Sequence, residues 1–140
     1  MSTKIKAGAG IDRATGISAE SIADGANSAG TGIDNATNRD RMMSAEIAWS
    51  FAVAPTPGKT LRMWIEYAHD GTNYEDAAPD AGWIADIVPP ADTASHRLLV
   101  ARDWPLLALP FRFRLANVDT GQAVAATLVA HTYCDVAEST

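Results

Sequence analysis

The stretch at residues 41–54, RMMSAEIAWSFAVA, constrains the fold more strongly than any other part of the chain. Its apolar side chains stand at every second position: Met43, Ala45, Ile47, Trp49, Phe51 and Val53. A two-residue period is typical of a β-strand, in which successive side chains point to opposite faces. The sequence therefore predicts a strand with one face on a core and the other face toward water.

Alternation and turn signals divide the rest of the chain after residue 41 into further short strands. We expect them at residues 61–67, 83–88, 96–102, 111–115 and 122–134. The turn residues at 55–59 and 117–121 predict that each pair of flanking strands forms an antiparallel hairpin. This spacing, without a long helical period, predicts an all-β fold: an antiparallel β-sandwich or jelly roll of about six to eight strands.

The first 40 residues differ in composition from the rest. They contain six of the ten glycines and neither an aromatic residue nor a proline. Two near copies, GIDRAT and GIDNAT, place Ile11 and Ile33 as isolated apolar residues. Composition therefore predicts an extended Gly/Ala/Ser-rich N-terminal arm at 1–40, anchored on a partner by these isoleucines. The sandwich domain is expected at 41–134, and a flexible tail at 135–140.

Length and charge exclude several classes of protein. A chain of 140 residues is sufficient for one domain. The 11 basic and 17 acidic side chains give a net charge of −6, which disfavours a nucleic-acid partner. Cys134 is the single cysteine, so the sequence predicts neither an intramolecular disulfide nor a cysteine-based zinc site. The N-terminus lacks the pattern of a signal peptide, and we expect no membrane partner.

An acidic turn is the strongest candidate for metal binding. Asp70, Asn73, Glu75 and Asp76 place oxygen donors beside Gly71, and calcium prefers oxygen ligands. The spacing does not match the twelve-residue calcium loop, so a plain acidic hairpin tip is the favoured interpretation.

Other catalytic or metal patterns are weak in this sequence. His69, His96 and His131 are not spaced as a zinc-binding set, and His131 and Cys134 fall on opposite faces of a strand. No nucleophile elbow or phosphate-binding glycine loop is present in the sequence. We therefore predict no catalytic residue, no cofactor and no metal site, and a protein that is not an enzyme.

Aromatic and basic side chains are candidates for binding. Trp64, Trp83 and Trp104 could form a platform for sugar rings, although packing in a core or at an interface is the favoured interpretation. Arg112 and Arg114 share one face of their strand and could pair with an acidic neighbouring chain, or form an ordinary solvated face.

Two segments carry a family resemblance: IEYAHDGTNYED at residues 65–76, and FRFRLANVDTGQAVAATL at 111–128. Together they resemble small virion proteins of tailed bacteriophages. The resemblance implies a viral, non-enzymatic structural protein, most often a capsid decoration or cement protein. Such a protein places its β domain at a junction of capsid subunits and extends an arm over a neighbour.

The resemblance also defines the expected partners. These are the major capsid protein or other virion proteins and further copies of the chain, for example in a trimer. The expected location is the virion, assembled in the host cytoplasm. Two alternatives stay open: a structural component of the tail or neck, and a carbohydrate-binding β-sandwich module. The predicted partner-binding residues are Ile11, Ile33, Trp64, Trp104, Arg112 and Arg114.

Overall fold

The computed structural model describes residues 3–5, 12–76, 80–133 and 137–139. The strands are β1 (Thr3–Ile5), β2 (Asp12–Ile22), β3 (Asn27–Ala29), β4 (Met42–Phe51), β5 (Leu61–Tyr67), β6 (Trp83–Ile87), β7 (His96–Pro105), β8 (Phe111–Asn117), β9 (Val124–Tyr133) and β10 (Ala137–Ser139). Helix α1 (Asn35–Asn38) and a 3-10 turn at Asp80–Gly82 complete the elements. In these ranges no helix has the length and apolarity to cross a membrane.

Two four-stranded antiparallel sheets make up the body of the molecule in the described ranges. Sheet I has the order β2-β9-β4-β7, and sheet II has the order β3-β8-β5-β6. Strands β1 and β10 form a separate antiparallel pair. The core lies between the two sheets, as the predicted all-β sandwich requires.

The alternation predicted for β4 is confirmed. Its buried positions alternate with partly exposed ones along the whole strand, and Ile47 has no exposed surface. Facing residues from sheet II, such as Met63 and Phe113, are also fully buried. The prediction that Val53 continues the core face is wrong, because the strand ends at Phe51 and Val53 is 57% exposed.

The connections between consecutive strands of the two sheets cross from one sheet to the other, except for the one between β5 and β6. Strand β4 pairs with β7 and β9, whereas β5 pairs with β6 and β8. Strands β8 and β9 likewise lie in different sheets. The two predicted hairpins are therefore wrong. The segments at 52–60 and 118–123 are long enough to span the distance of about 10 Å that separates packed sheets.

Residues 12–40, which the sequence assigned to an extended arm, contain strands β2 and β3 and helix α1 and belong to the sandwich. Strand β2 pairs along its length with β9, and Ile17, Ile22 and Ile33 are buried in the core. Hydrogen bonds from polar side chains also hold residues 12–40 in place. The Asn35 amide, for example, donates to the carbonyls of Asp40 at 2.8 Å and Leu107 at 2.7 Å. These contacts correct the domain boundary predicted at residue 40.

Glycine residues allow this close packing. A Cβ built on Gly16 would lie 2.6 Å from the Phe113 ring, and one built on Gly30 would meet the backbone carbonyl of Gly16. Glycine is therefore needed at these positions so that the backbone can approach its neighbours. Both glycines belong to the segment that composition assigned to an extended arm, yet they lie against the sandwich.

Candidate functional site

Tryptophan and arginine side chains gather on the outer face of sheet II. Alternate residues of a strand share a face, so Arg62, Trp64 and Glu66 of β5 lie together. The register places Trp64 opposite Trp83 of β6 on one side and opposite Arg114 of β8 on the other. We call this surface the Trp–Arg face, and its residues are Arg62, Trp64, Glu66, Trp83, Asp86, Arg112 and Arg114.

A buried carboxylate organises one part of the Trp–Arg face. Glu66 has 0% of its side chain exposed and accepts hydrogen bonds from two guanidinium groups. Arg112 Nε lies 2.9 Å from Glu66 Oε1, and Arg114 Nε lies 3.0 Å from Glu66 Oε2. Charge-assisted hydrogen bonds of this kind offset the cost of burying the carboxylate. Glu66 therefore holds two arginines side by side, with 25% and 13% of their side chains exposed.

A second ion pair positions the exposed tryptophan. Arg62 donates from Nε to Asp86 Oδ1 at 2.6 Å and from Nη2 to Asp86 Oδ2 at 3.0 Å. These bonds lower the pKa of Asp86 from its usual value and raise that of Arg62. Asp86 also accepts a hydrogen bond from Trp83 Nε1 at 3.2 Å. The Trp83 ring is thus fixed at its polar end while half of its surface stays exposed.

The turn after β5 brings a tyrosine onto the Trp–Arg face. Gly71 adopts a positive φ of 84°, and Asp70 accepts hydrogen bonds from the backbone of the next turn residues. Tyr74 follows this turn, and the Arg112 guanidinium lies over its ring, 4.5 Å from the centroid. Behind it, a Cβ on Gly32 would collide with Tyr74 Oη. Both the turn and residue 32 therefore support the position of Arg112.

The structure brings together three of the predicted partner-binding residues: Trp64, Arg112 and Arg114. Trp104 lies on β7 of sheet I and is half-buried against the core, so it does not join Trp64 and Trp83 in a platform. Ile33 is buried and bridges to Phe111, which removes it from any surface that a partner could contact. Ile11 lies outside the described residues.

The acidic turn is organised by its own backbone. Asp70 accepts hydrogen bonds from Thr72 N, Asn73 N and Asn73 Nδ2, which lower its pKa to about 2. Glu75 Oε1 accepts a hydrogen bond from Tyr67 N. In the described ranges, no three or more His, Cys, Asp or Glu side chains are grouped so that they could hold a metal ion. The arrangement is that of a hairpin tip.

The three histidines have separate environments. His69 Nε2 lies 3.8 Å from Glu75 Oε1, and His96 Nε2 lies 2.7 Å from Asp92 Oδ1. His131 lies on β9, opposite Ser44. Cys134, whose pairing with His131 the sequence disfavoured, lies outside the described residues. Each of these two histidine contacts joins residues only four or six positions apart in the chain.

A cavity of about 220 Å³ adjoins the acidic turn and is lined in part by Tyr67, His69, Glu75 and Leu107. Burial raises the pKa of Tyr67, whose hydroxyl accepts a hydrogen bond from Leu107 N at 3.2 Å. The phenol is therefore protonated at neutral pH and poorly suited to act as a base. Among the described residues, those that line this cavity include no serine, cysteine or lysine nucleophile.

Sequence analysis missed several residues of the Trp–Arg face, chief among them Glu66, Arg62 and Asp86. A signal was present, because the alternation in residues 61–67 already places positions 62, 64 and 66 on one face. Which strands flank β5 could not be read from that pattern.

Comparisons with known proteins identify no family. No protein-family model matches the chain, and no curated protein sequence matches it. Among solved structures, the crystal structure of FLHE aligns over 89% of this chain and 94% of its own, with 16% sequence identity and a TM-score of 0.34. A likeness at that level carries no argument about fold or function.

Proposed function

We propose that this chain is a non-enzymatic structural protein of a tailed-bacteriophage particle, and that it docks on its neighbours through the Trp–Arg face. The observation that carries the docking surface is the juxtaposition of Trp64, Trp83 and Arg114 in one row across three strands. Tryptophan, tyrosine and arginine are the residues enriched at the energetic centres of protein interfaces. Trp83, at 50% exposed, offers a large apolar surface held in one orientation.

The segments that resemble phage virion proteins contribute part of this surface. Residues 65–76 contain the end of β5 and the turn that carries Tyr74, and residues 111–128 contain β8 with both arginines. Strands β5 and β8 pair in register, so Glu66 lies opposite Arg112. The resemblance and the docking surface therefore share Glu66, Arg112 and Arg114.

A capsid decoration or cement protein is the favoured form of this proposal. Its partners are the major capsid protein or other virion proteins, together with further copies of the chain. Because residues 12–40 belong to the sandwich, the proposal no longer relies on an arm of 40 residues and assigns the contact to the sheet face. A tail or neck component would use the same face.

Particles of a tailed phage whose genome encodes this chain test the proposal. Mass spectrometry of purified particles is expected to detect the chain in a fixed ratio to the major capsid protein. A copy number close to that of the capsid protein would support decoration, and a few copies per particle would support the tail or neck. Particles that contain their other structural proteins but lack this chain would overturn the proposal.

A carbohydrate-binding module is the second candidate function, favoured by the direct cross-strand pairing of Trp64 with Trp83. Stacking of a sugar on Trp83 would change tryptophan fluorescence, so a glycan array followed by fluorescence titration tests it. Binding of a neutral oligosaccharide that Trp83→Ala abolishes would support this candidate. A silent array with unchanged fluorescence would reject it.

A further inference from the structure

Arg112 differs from the other arginines of the Trp–Arg face in how its donors are used. Arg62 directs Nε and Nη2 to Asp86, and Arg114 directs Nε to Glu66 and Nη1 to Asn27. Arg112 donates from Nε to Glu66, but among the described residues its two Nη groups have no hydrogen-bond acceptor. A quarter of its side chain is exposed. The guanidinium is thus fixed by Glu66 and Tyr74 and still has donors for a ligand.

The charge of the Trp–Arg face is opposite to that of the rest of the chain. Its three arginines exceed Glu66 and Asp86 by one charge. The formal net charge of the whole chain is −6, so the remainder carries −7. Local positive charge on an acidic protein favours contact with an anionic group. Arginine forms paired hydrogen bonds with carboxylates, which fit its planar fork.

We infer that the Trp–Arg face binds an acidic segment of a partner protein, with an Asp or Glu carboxylate on Arg112 and an apolar side chain on Trp83. Trp83 on β6 and Arg112 on β8 are separated by strand β5 and offset by two residues along the strand direction. At the usual spacings of a sheet this corresponds to about 12 Å. An extended segment of about four residues covers that distance. The inference names the chemistry of the partner and rests on the proposed function.

The surroundings of Trp64 favour a protein segment over a sugar. The Arg62 guanidinium lies over the Trp64 ring, 5.9 Å from its centroid, and Trp64 is half-buried. Trp83 is therefore the ring of this pair that is freely presented. One exposed ring beside an arginine suits a peptide with an apolar and an acidic residue. Stacking of an oligosaccharide along the face would also require the ring of Trp64, which Arg62 covers.

Selection from a library of random twelve-residue peptides tests the inference on the full chain. Peptides enriched on the wild-type protein are expected to carry Asp or Glu more often than the library does. The best peptide is then titrated by tryptophan fluorescence. Arg112→Lys keeps a positive charge beside Glu66 but removes the fork, so affinity is expected to fall about tenfold or more. Arg97→Lys, on the opposite sheet, is the matched control and should leave affinity unchanged.

Three results would overturn the inference. The first is no enrichment of acidic peptides, and the second is equal affinity of the selected peptide for the wild type and Arg112→Lys. The third is light scattering that shows a dimer lost in Arg112→Lys, because a second copy would then occupy the face. Oligogalacturonate serves as the anionic-sugar probe, and binding of it without peptide enrichment also counts against a protein segment. Presence of the chain in phage particles is measured separately, so the proposed function can stand if this inference fails.

Discussion

The two outer faces of the sandwich each carry a glutamate paired with arginine, and they differ in burial. On sheet I, Arg97 Nε lies 3.4 Å from Glu46 Oε1, with side chains 72% and 29% exposed. On sheet II, Glu66 is fully buried between Arg112 and Arg114. Arg97 belongs to the edge strand β7, whereas Arg112 and Arg114 belong to the interior strand β8. Position in the sheet therefore decides whether a similar pair of residues is a solvated contact or a fixed part of a surface.

Removal of each glutamate should produce the largest difference between the faces. Glu66→Ala leaves two adjacent guanidiniums without their shared carboxylate, and we expect the free energy of unfolding to fall by about 3 kcal/mol. Glu46→Ala breaks an exposed pair and should cost about 0.5 kcal/mol. Urea unfolding followed by circular dichroism measures both. Equal losses in the two variants would show that burial does not distinguish the faces.

Substitutions on the two faces should also differ in their effect on binding to phage particles. Trp83→Ala removes the exposed ring of sheet II, and we expect its affinity for phage particles depleted of the chain to fall about thirtyfold, as for an interface hot spot worth about 2 kcal/mol. Leu99→Ala is the matched control, since Leu99 is a partly exposed apolar residue of β7, opposite Glu46. Its affinity should stay within about twofold of the wild type. Sedimentation of labelled protein with the particles measures both. A greater loss for Leu99→Ala would place the docking surface on sheet I.

High salt should weaken the exposed ion pair of sheet I more than the buried ion pair of sheet II, and this effect is smaller than the previous two. At 1 M salt the Debye length is about 3 Å, so an exposed ion pair is strongly screened and a buried one much less. Double-mutant cycles on Glu46 with Arg97 should give about 0.5 kcal/mol at low salt and nearly zero at 1 M. The coupling of Glu66 with Arg114 should keep most of its low-salt value. Loss of both couplings to the same extent would contradict the burial assigned to Glu66.

Local alternation was sufficient to predict the core faces of single strands. The pattern of β4 set its buried residues correctly, and the same pattern in β5 already placed positions 62, 64 and 66 together. It did not reveal that β8 lies beside β5, because that neighbour depends on connections that cross between the sheets. The candidate site is built across three strands, so the sequence predicted Trp64, Arg112 and Arg114 as separate candidates without the carboxylate that joins two of them.

Glycine content was the least reliable basis for predicting the structure of residues 1–40. The six glycines of residues 1–40 suggested an extended arm outside the core, because composition does not distinguish a glycine that permits flexibility from one that permits close contact. Gly16 lies against Phe113, and Gly32 lies against Tyr74. Apolar residues at successive positions do not mark burial in β7 either, because Leu98 and Leu99 are exposed at a sheet edge with irregular register.

Asp70 provides the smallest test and shows that burial is not the only source of order for a carboxylate. Asp70 is exposed, yet three local hydrogen bonds lower its pKa from 3.8 to about 2. Because the folded pKa is the lower one, the stabilisation is complete above pH 3.8 and is lost as pH falls toward 2. Asp70→Asn keeps a side-chain acceptor for the turn and should weaken this part of the pH dependence of unfolding.

Carbon-13 NMR titration of the Asp70 carboxyl measures the same effect directly. Asn73→Ala removes one of the three hydrogen bonds, the one from Nδ2, and should move the pKa of Asp70 part of the way back toward 3.8. The two backbone donors, Thr72 N and Asn73 N, stay in place, so the return should be incomplete. A pKa unchanged by Asn73→Ala would mean that the backbone of the turn alone holds the charge. In either case the exposed carboxylate of Asp70 is ordered by donors from its own turn, whereas the buried carboxylate of Glu66 depends on arginines from a different strand.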